Sequence, residues 1–128
     1  MGMTTVKLKL RNGDYAIHRL GASGEIPAEV FGCDFFHVTR TDEALSIVCP
    51  SFLALNSERC SKGWTCIEVL GPLDFSLTGI LAKLSGVLAE AEISIFAIST
   101  YDTDFILIKT EKTDPAVAAL KAAGYIFT

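Results

Sequence analysis

Basic residues are few and scattered. The 128-residue chain has 11 Lys and Arg against 15 Asp and Glu, for a formal net charge of −4. With no basic cluster, neither a nucleic acid nor an anionic membrane is expected as a partner. Long apolar runs are also missing. The longest nearly uncharged stretch, Phe75 to Leu88, contains Lys83 and reads as a helix too short to cross a bilayer. The start, Met1 to Lys7, has no apolar signal core, and Val6 stands where a myristoylation signal needs Ser or Thr. A cytoplasmic protein is therefore expected. The four cysteines, Cys33, Cys49, Cys60 and Cys66, include no CxxC pair. They read as free thiols, with no zinc site. The only histidines, His18 and His37, lie in strand-like runs and read as satisfied or solvated strand residues rather than catalysts. Gly21-Ala22-Ser23-Gly24 lacks the following Lys-Ser or Lys-Thr of a phosphate loop, and Ser76 has no Gly-x-Ser-x-Gly elbow. No cofactor and no enzymatic activity are expected.

What the chain does have is a globular balance: half hydrophobic, a fifth charged. The C-terminal half is the more regular. Trp64 to Leu70 reads as a strand ended by Gly71-Pro72. Leu77, Ile80, Leu81, Leu84, Val87, Leu88 and Ala91 then fall on one helical face, with Asp74, Ser76 or Thr78 as candidate N-caps. Ile93 to Ser99 and Phe105 to Lys109 form a hairpin around a polar turn, Thr100 to Asp104. Thr113-Asp114-Pro115 starts a second helix whose buried stripe is Ala116, Ala119, Leu120 and Ala123, and Gly124 ends it. Tyr125 to Phe127 is a last strand. The order is β-α-β-β-α-β, the split βαβ or ferredoxin-like plan of an α+β fold.

The N-terminal half repeats part of that plan. Phe36 to Val48 can be laid over Phe96 to Ile108 at a constant spacing of sixty residues, and Tyr15 to Gly21 over Thr65 to Gly71 at fifty. Ten residues are thus missing after the first strand, leaving Ile26 to Phe31 as a turn or two of helix. The second helix shrinks to Pro50 to Asn56. Two related units are expected, a degenerate one over residues 1–62 and a fuller one over 63–128, with paired sheets.

Gly71 to Leu81 (G-P-L-D-F-S-L-T-G-I-L) and Ala89 to Lys109 (A-E-A-E-I-S-I-F-A-I-S-T-Y-D-T-D-F-I-L-I-K) together resemble the ACT domain family. More narrowly, they resemble small bacterial tandem-ACT proteins related to the cytosolic arginine sensors of the animal TOR pathway. Asp34 to Thr41 and Leu45 to Pro50 are similar to the degenerate first ACT unit of that group. The resemblance implies two tandem βαββαβ ACT units with paired sheets that bind a small amino acid at an interface between units. A protein partner that reads the ligand-favoured arrangement is expected, and the open edges of a small antiparallel sheet point to a homodimer. The alternative is a dimerisation or interaction module with no small ligand.

An amino-acid carboxylate wants backbone N–H donors, which a helix N-terminus supplies. Ser76, Leu77, Thr78, Gly79 and Ile80 open the long helix, and Gly79 would let a ligand approach the backbone. The ammonium, or a cationic side chain, wants a carboxylate. Asp102 and Asp104 supply two, and the resemblance favours Asp104. Ser99, Thr100 and Tyr101 would line the same pocket, with Tyr101 stacking on a guanidinium or covering an apolar stem. No oxygen-ligand loop follows the two acids, so no metal is expected. At the sixty-residue spacing the first copy has Arg40, Thr41 and Ala44 opposite Thr100, Tyr101 and Asp104, so the two halves cannot carry equivalent acidic sites, and a site is expected chiefly in the second half, closed by the first copy or by another chain.

Overall fold

The computed structural model describes residues 6–70 and 79–128. Eight strands are present: β1 (Lys7–Leu10), β2 (Tyr15–Gly21), β3 (His37–Arg40), β4 (Ala44–Pro50), β5 (Arg59–Val69), β6 (Phe96–Ser99), β7 (Asp104–Lys109) and β8 (Ile126–Phe127). The α-helices are α1 (Ile80–Glu90) and α2 (Thr113–Ala122). Two compact units result, one made of residues 13–64 and the other of two segments, 1–12 and 65–128. The sequence division at residue 62 left β1 with the first half, but β1 lies in the unit built from the C-terminal half. The long strand β5 gives its first part to one unit and its last part to the other.

In the one-segment unit the strand order is β3-β4-β2-β5. β2 is antiparallel to both β4 and β5, and β3 is antiparallel to β4. That is the ladder of a split βαβ unit with its helices reduced. Where the first helix would stand there is a single 3-10 segment, Ala28–Gly32, because the ten missing residues leave room for no more. The helix expected over Pro50 to Asn56 is absent. A turn replaces it, closed by the Leu53 N–H donating to the Pro50 carbonyl at 3.2 Å. One face of β2 and β4 carries Leu20, Leu45, Ile47 and Cys49, and these pack with Val30 into a small core.

The two-segment unit has the full set of helices. Its strands run β6-β7-β5-β1-β8. β1 is antiparallel to β5 and parallel to β8, so it stands between two strands that a plain βαββαβ unit would pair directly. Leu8, Ile67, Val69, Ile106 and Ile108 from the sheet meet Leu84 and Leu88 of α1 and Ala116 and Leu120 of α2. The expected helical stripes are buried at their centres, while Ala91 and Ala123 at the helix ends are exposed. The described part of the first helix begins at Ile80, preceded by Gly79 in the left-handed region (φ 83°); the expected caps Asp74, Ser76 and Thr78 lie outside the described residues. Both helices end in one motif. The Glu92 N–H donates to Ala89 O and Ile93 N–H to Leu88 O, while Gly124 N–H donates to Lys121 O and Tyr125 N–H to Leu120 O. Each motif drops a side chain, Ile93 or Tyr125, back into the core. Among the described residues no helix is long and apolar enough to cross a membrane.

Candidate ligand site

The hairpin of β6 and β7 turns on Thr100. Its backbone N–H donates to Thr103 O at 2.8 Å, and its hydroxyl donates to the same carbonyl at 3.0 Å. The hydroxyl also accepts from the Asp102 and Thr103 N–H groups at 3.3 and 3.1 Å. Thr41 does the same in the other unit. Its N–H and hydroxyl both reach Ala44 O, and the hydroxyl accepts from the Glu43 and Ala44 N–H groups at 3.2 Å. A threonine at this position makes local turns because its short hydroxyl reaches the amides two and three residues on. The two turns therefore correspond Thr41 to Thr100 and Ala44 to Thr103, one residue off the sixty-residue alignment. Asp104 matches Leu45, not Ala44. The strand pairs agree: Arg40 faces Leu45 and Ser99 faces Asp104. The apolar run hid the slip, because β7 is buried on both faces from Phe105 to Ile108.

Register then fixes which way the candidate groups face. Side chains two apart in a strand share a face, so Asp104 lies on the side of Ile106 and Ile108, the side covered by α1 and α2. Ser99, directly opposite Asp104, shares it. Thr103 faces the other way and donates its hydroxyl to the carbonyl of Val69, the last residue of β5. The hairpin tip therefore sits at the end of the sheet from which the chain leaves β5 towards α1. At the start of α1, Lys83 N–H makes the first helical bond, to Gly79 O at 2.8 Å. Among the described residues, the N–H groups of Ile80, Leu81 and Ala82 have no acceptor within the helix. A Cβ placed on Gly79 would meet nothing within 4 Å among the described residues.

Of the expected site residues, Gly79, Ile80, Ser99, Thr100, Tyr101, Asp102 and Asp104 are described, while Ser76, Leu77 and Thr78 lie outside the described residues. Ile80 packs against the core, leaving its backbone N–H as the contribution it can make. Thr100 is engaged in its own turn. Tyr101 and Asp102 form the exposed tip, Tyr101 with 79% of its surface accessible. Asp104 belongs to β7 rather than to the turn, and its carboxylate is half-buried. Thr103 had no role in the sequence reading, yet it ties the tip to β5. Its neighbour Thr100, three residues earlier, was the available signal of a threonine-closed turn. Among the described residues no group of three His, Cys, Asp or Glu side chains could hold a metal ion.

A family model described as ACT domain matches residues 59–122, half of the chain. The chain belongs to the ACT domain family. A second model, of an N-terminal domain, matches residues 13–51, within the one-segment unit. A crystal structure from Agrobacterium tumefaciens is 37% identical with a TM-score of 0.90, covering 98% of this chain and 94% of that one. The human protein CASTOR3P is 37% identical over 59% of this chain, and human cytosolic arginine sensor for mTORC1 subunit 1 is 34% identical over 56%. The matched regions span 55% and 22% of those two proteins' own lengths. At 15% identity, the regulatory subunit of aspartate kinase from Thermus thermophilus shares the fold, with a TM-score of 0.64 over 91% of this chain and 96% of that one. This ACT protein is thus α+β, built as two tandem ferredoxin-like units of which the first has lost its long helices.

Proposed function

We propose that this ACT protein binds a small amino acid in its two-segment unit and acts as a regulatory sensor without performing chemistry. The observation that supports this reading is the position of Asp104 at the start of β7, on the face of the strand that the helices cover. The half-buried carboxylate lies on the helix-bearing face, at the end of the sheet where the β5-to-α1 connection begins. The open amides of α1 suit the ligand's carboxylate, and Asp104 suits its ammonium or a cationic side chain. Ser99 sits beside Asp104 as a hydroxyl donor or acceptor. Similarity to cytosolic arginine sensor for mTORC1 subunit 1 supports an amino acid as the ligand class. Ligand binding would then favour one conformation that a partner protein reads.

Thermal-shift measurements with the twenty amino acids test this. A ligand at a hundred times its Kd should stabilise the protein by about 2.7 kcal/mol. The rise is expected for one or a few amino acids and should vanish in Asp104→Ala, while Asp102→Ala at the exposed tip keeps it. A flat response across all twenty, from a stable dimer, would instead mark a dimerisation or interaction module. The exposed Ile126 on the two-residue strand β8 is where such an edge contact could form.

A further inference from the structure

The one-segment unit carries a constellation that ligand sensing does not use. His18 on β2 and Cys60 on β5 are directly opposite in the antiparallel ladder, so their side chains share a face. Cys60 Sγ lies 3.9 Å from His18 Nε2, and Ser57 Oγ lies 2.9 Å from Nδ1 on the other side of the ring. The imidazole is only 3% exposed, whereas Cys60 is exposed. Ser57 is held in place by backbone bonds on both sides, its own N–H to Leu55 O and the Glu58 N–H to Arg19 O.

We propose that Cys60 is an activated thiol with His18 as its proton acceptor and Ser57 as the residue that orients the ring, forming a site modified by peroxide. With Ser57 assigned as the acceptor of the Nδ1–H, the Nε2 lone pair is left facing the thiol. Burial, with a smaller effect from the Lys62 ammonium, holds the His18 pKa below its usual value, so the ring is neutral near pH 7 and its Nε2 lone pair is open to a proton. A thiol beside a base that a third group orients is the arrangement of an activated nucleophile.

The reaction balances with peroxide as the only co-reactant. The thiol proton passes to Nε2 and the sulfur attacks one peroxide oxygen. The O–O bond breaks, and the leaving hydroxide takes the proton back from His18 as water. Sulfur is oxidised to sulfenic acid and peroxide is reduced. Cys49 cannot convert this product to a disulfide. It lies on β4, with β2 between it and β5, so its backbone is two strand spacings, about 9–10 Å, from that of Cys60. A disulfide needs Cα atoms within about 7 Å.

Cys33 is the internal reference. It is partly exposed, and its thiol donates to the Glu29 carbonyl at 3.7 Å instead of meeting a base. The full chain is treated with hydrogen peroxide and dimedone, and adducts at each cysteine are followed by mass spectrometry. Cys60 should be trapped roughly tenfold or more faster than Cys33, at or below the usual contribution of a positioned base. His18→Gln should bring its rate to that of Cys33, and Ser57→Ala should slow it part of the way. Circular dichroism establishes that each variant is folded; if His18→Gln is not, Ser57→Ala decides. A Cys60 rate no faster than that of Cys33, or one that the folded variant leaves unchanged, overturns the proposal.

Discussion

Replacing Glu92 with glycine is expected to stabilise the protein. Glu92 is the one described residue other than glycine with a positive φ, 61°, and it occupies in α1 the position that Gly124, at φ 101°, occupies in α2. Both positions support the same two hydrogen bonds, at 2.9 Å in α1 and 3.0 Å in α2. Holding an L-residue in the left-handed region costs about 1–2 kcal/mol. Glycine removes that cost but loses about 0.5–1 kcal/mol more backbone freedom on folding. The net gain is about 0.5–1 kcal/mol. Glu92 is exposed, so no buried contact is lost. Removing a negative charge just past the C-terminal end of α1 adds a few tenths of a kcal/mol in the same direction. Gly124→Ala should do the reverse. Among the described residues no atom beyond its chain neighbours lies within 4 Å of the added Cβ, so the effect comes from the backbone. Its φ lies further from the left-handed well, so the loss should reach or exceed about 1 kcal/mol. Urea unfolding reads both changes as shifts in the midpoint at constant slope. A Glu92→Gly protein no more stable than the parent, beside a Gly124→Ala protein no less stable, would show that these helix ends are not held in the left-handed conformation.

The paired threonine turns give a second prediction. Thr100→Ala and Thr41→Ala should each cost about 0.5–1.5 kcal/mol in thermal unfolding, since each removes one hydroxyl that accepts two amides and donates to a carbonyl. Alkaline pH gives a third. Burial pushes the Cys66 thiol up to about 12, against a weaker lowering by Arg11 and with a further rise from Glu68. It pushes Cys49 up to about 11, with Cys33 and Cys60 adding to the rise. The unfolded thiols ionise near 9.0, so below that pH neither state gives up protons. Above it the unfolded chain holds fewer protons, and stability should fall as pH rises from about 9 towards 11 and 12. Cys66→Ala or Cys49→Ala should flatten that fall in urea midpoints measured across the range, whatever it costs in packing at neutral pH.

Much of this structure can be read from periodicity. α1, α2 and the β6–β7 hairpin follow from helical spacing, a Pro at a helix start and a polar turn. β1 was equally legible, since Val6, Leu8 and Leu10 alternate with Lys7 and Lys9. The internal repeat does not reveal it, because β1 has no counterpart in the first unit. The hairpin alignment slipped by one residue because a strand buried on both faces has no alternation to pin its register; the turn chemistry of Thr41 and Thr100 is what sets it. Pro50 to Asn56 has the residues for a helical turn but too few to repay nucleation. The face on which Asp104 sits could not be known before the register was.

β1 enters the ribosome's exit ahead of everything it will pair with. Its partners on either side, Leu8 against Val69 and Phe127, are made only after residues 13–64 and, for β8, after α2 as well. The one-segment unit is continuous and can assemble while the rest is still being made. The two-segment unit must instead bring together strands separated by residues 13–64, a cost that grows only slowly with the length of the intervening chain. A fragment that starts at residue 63 therefore loses the buried side chain of Leu8 along with the strand that carries it.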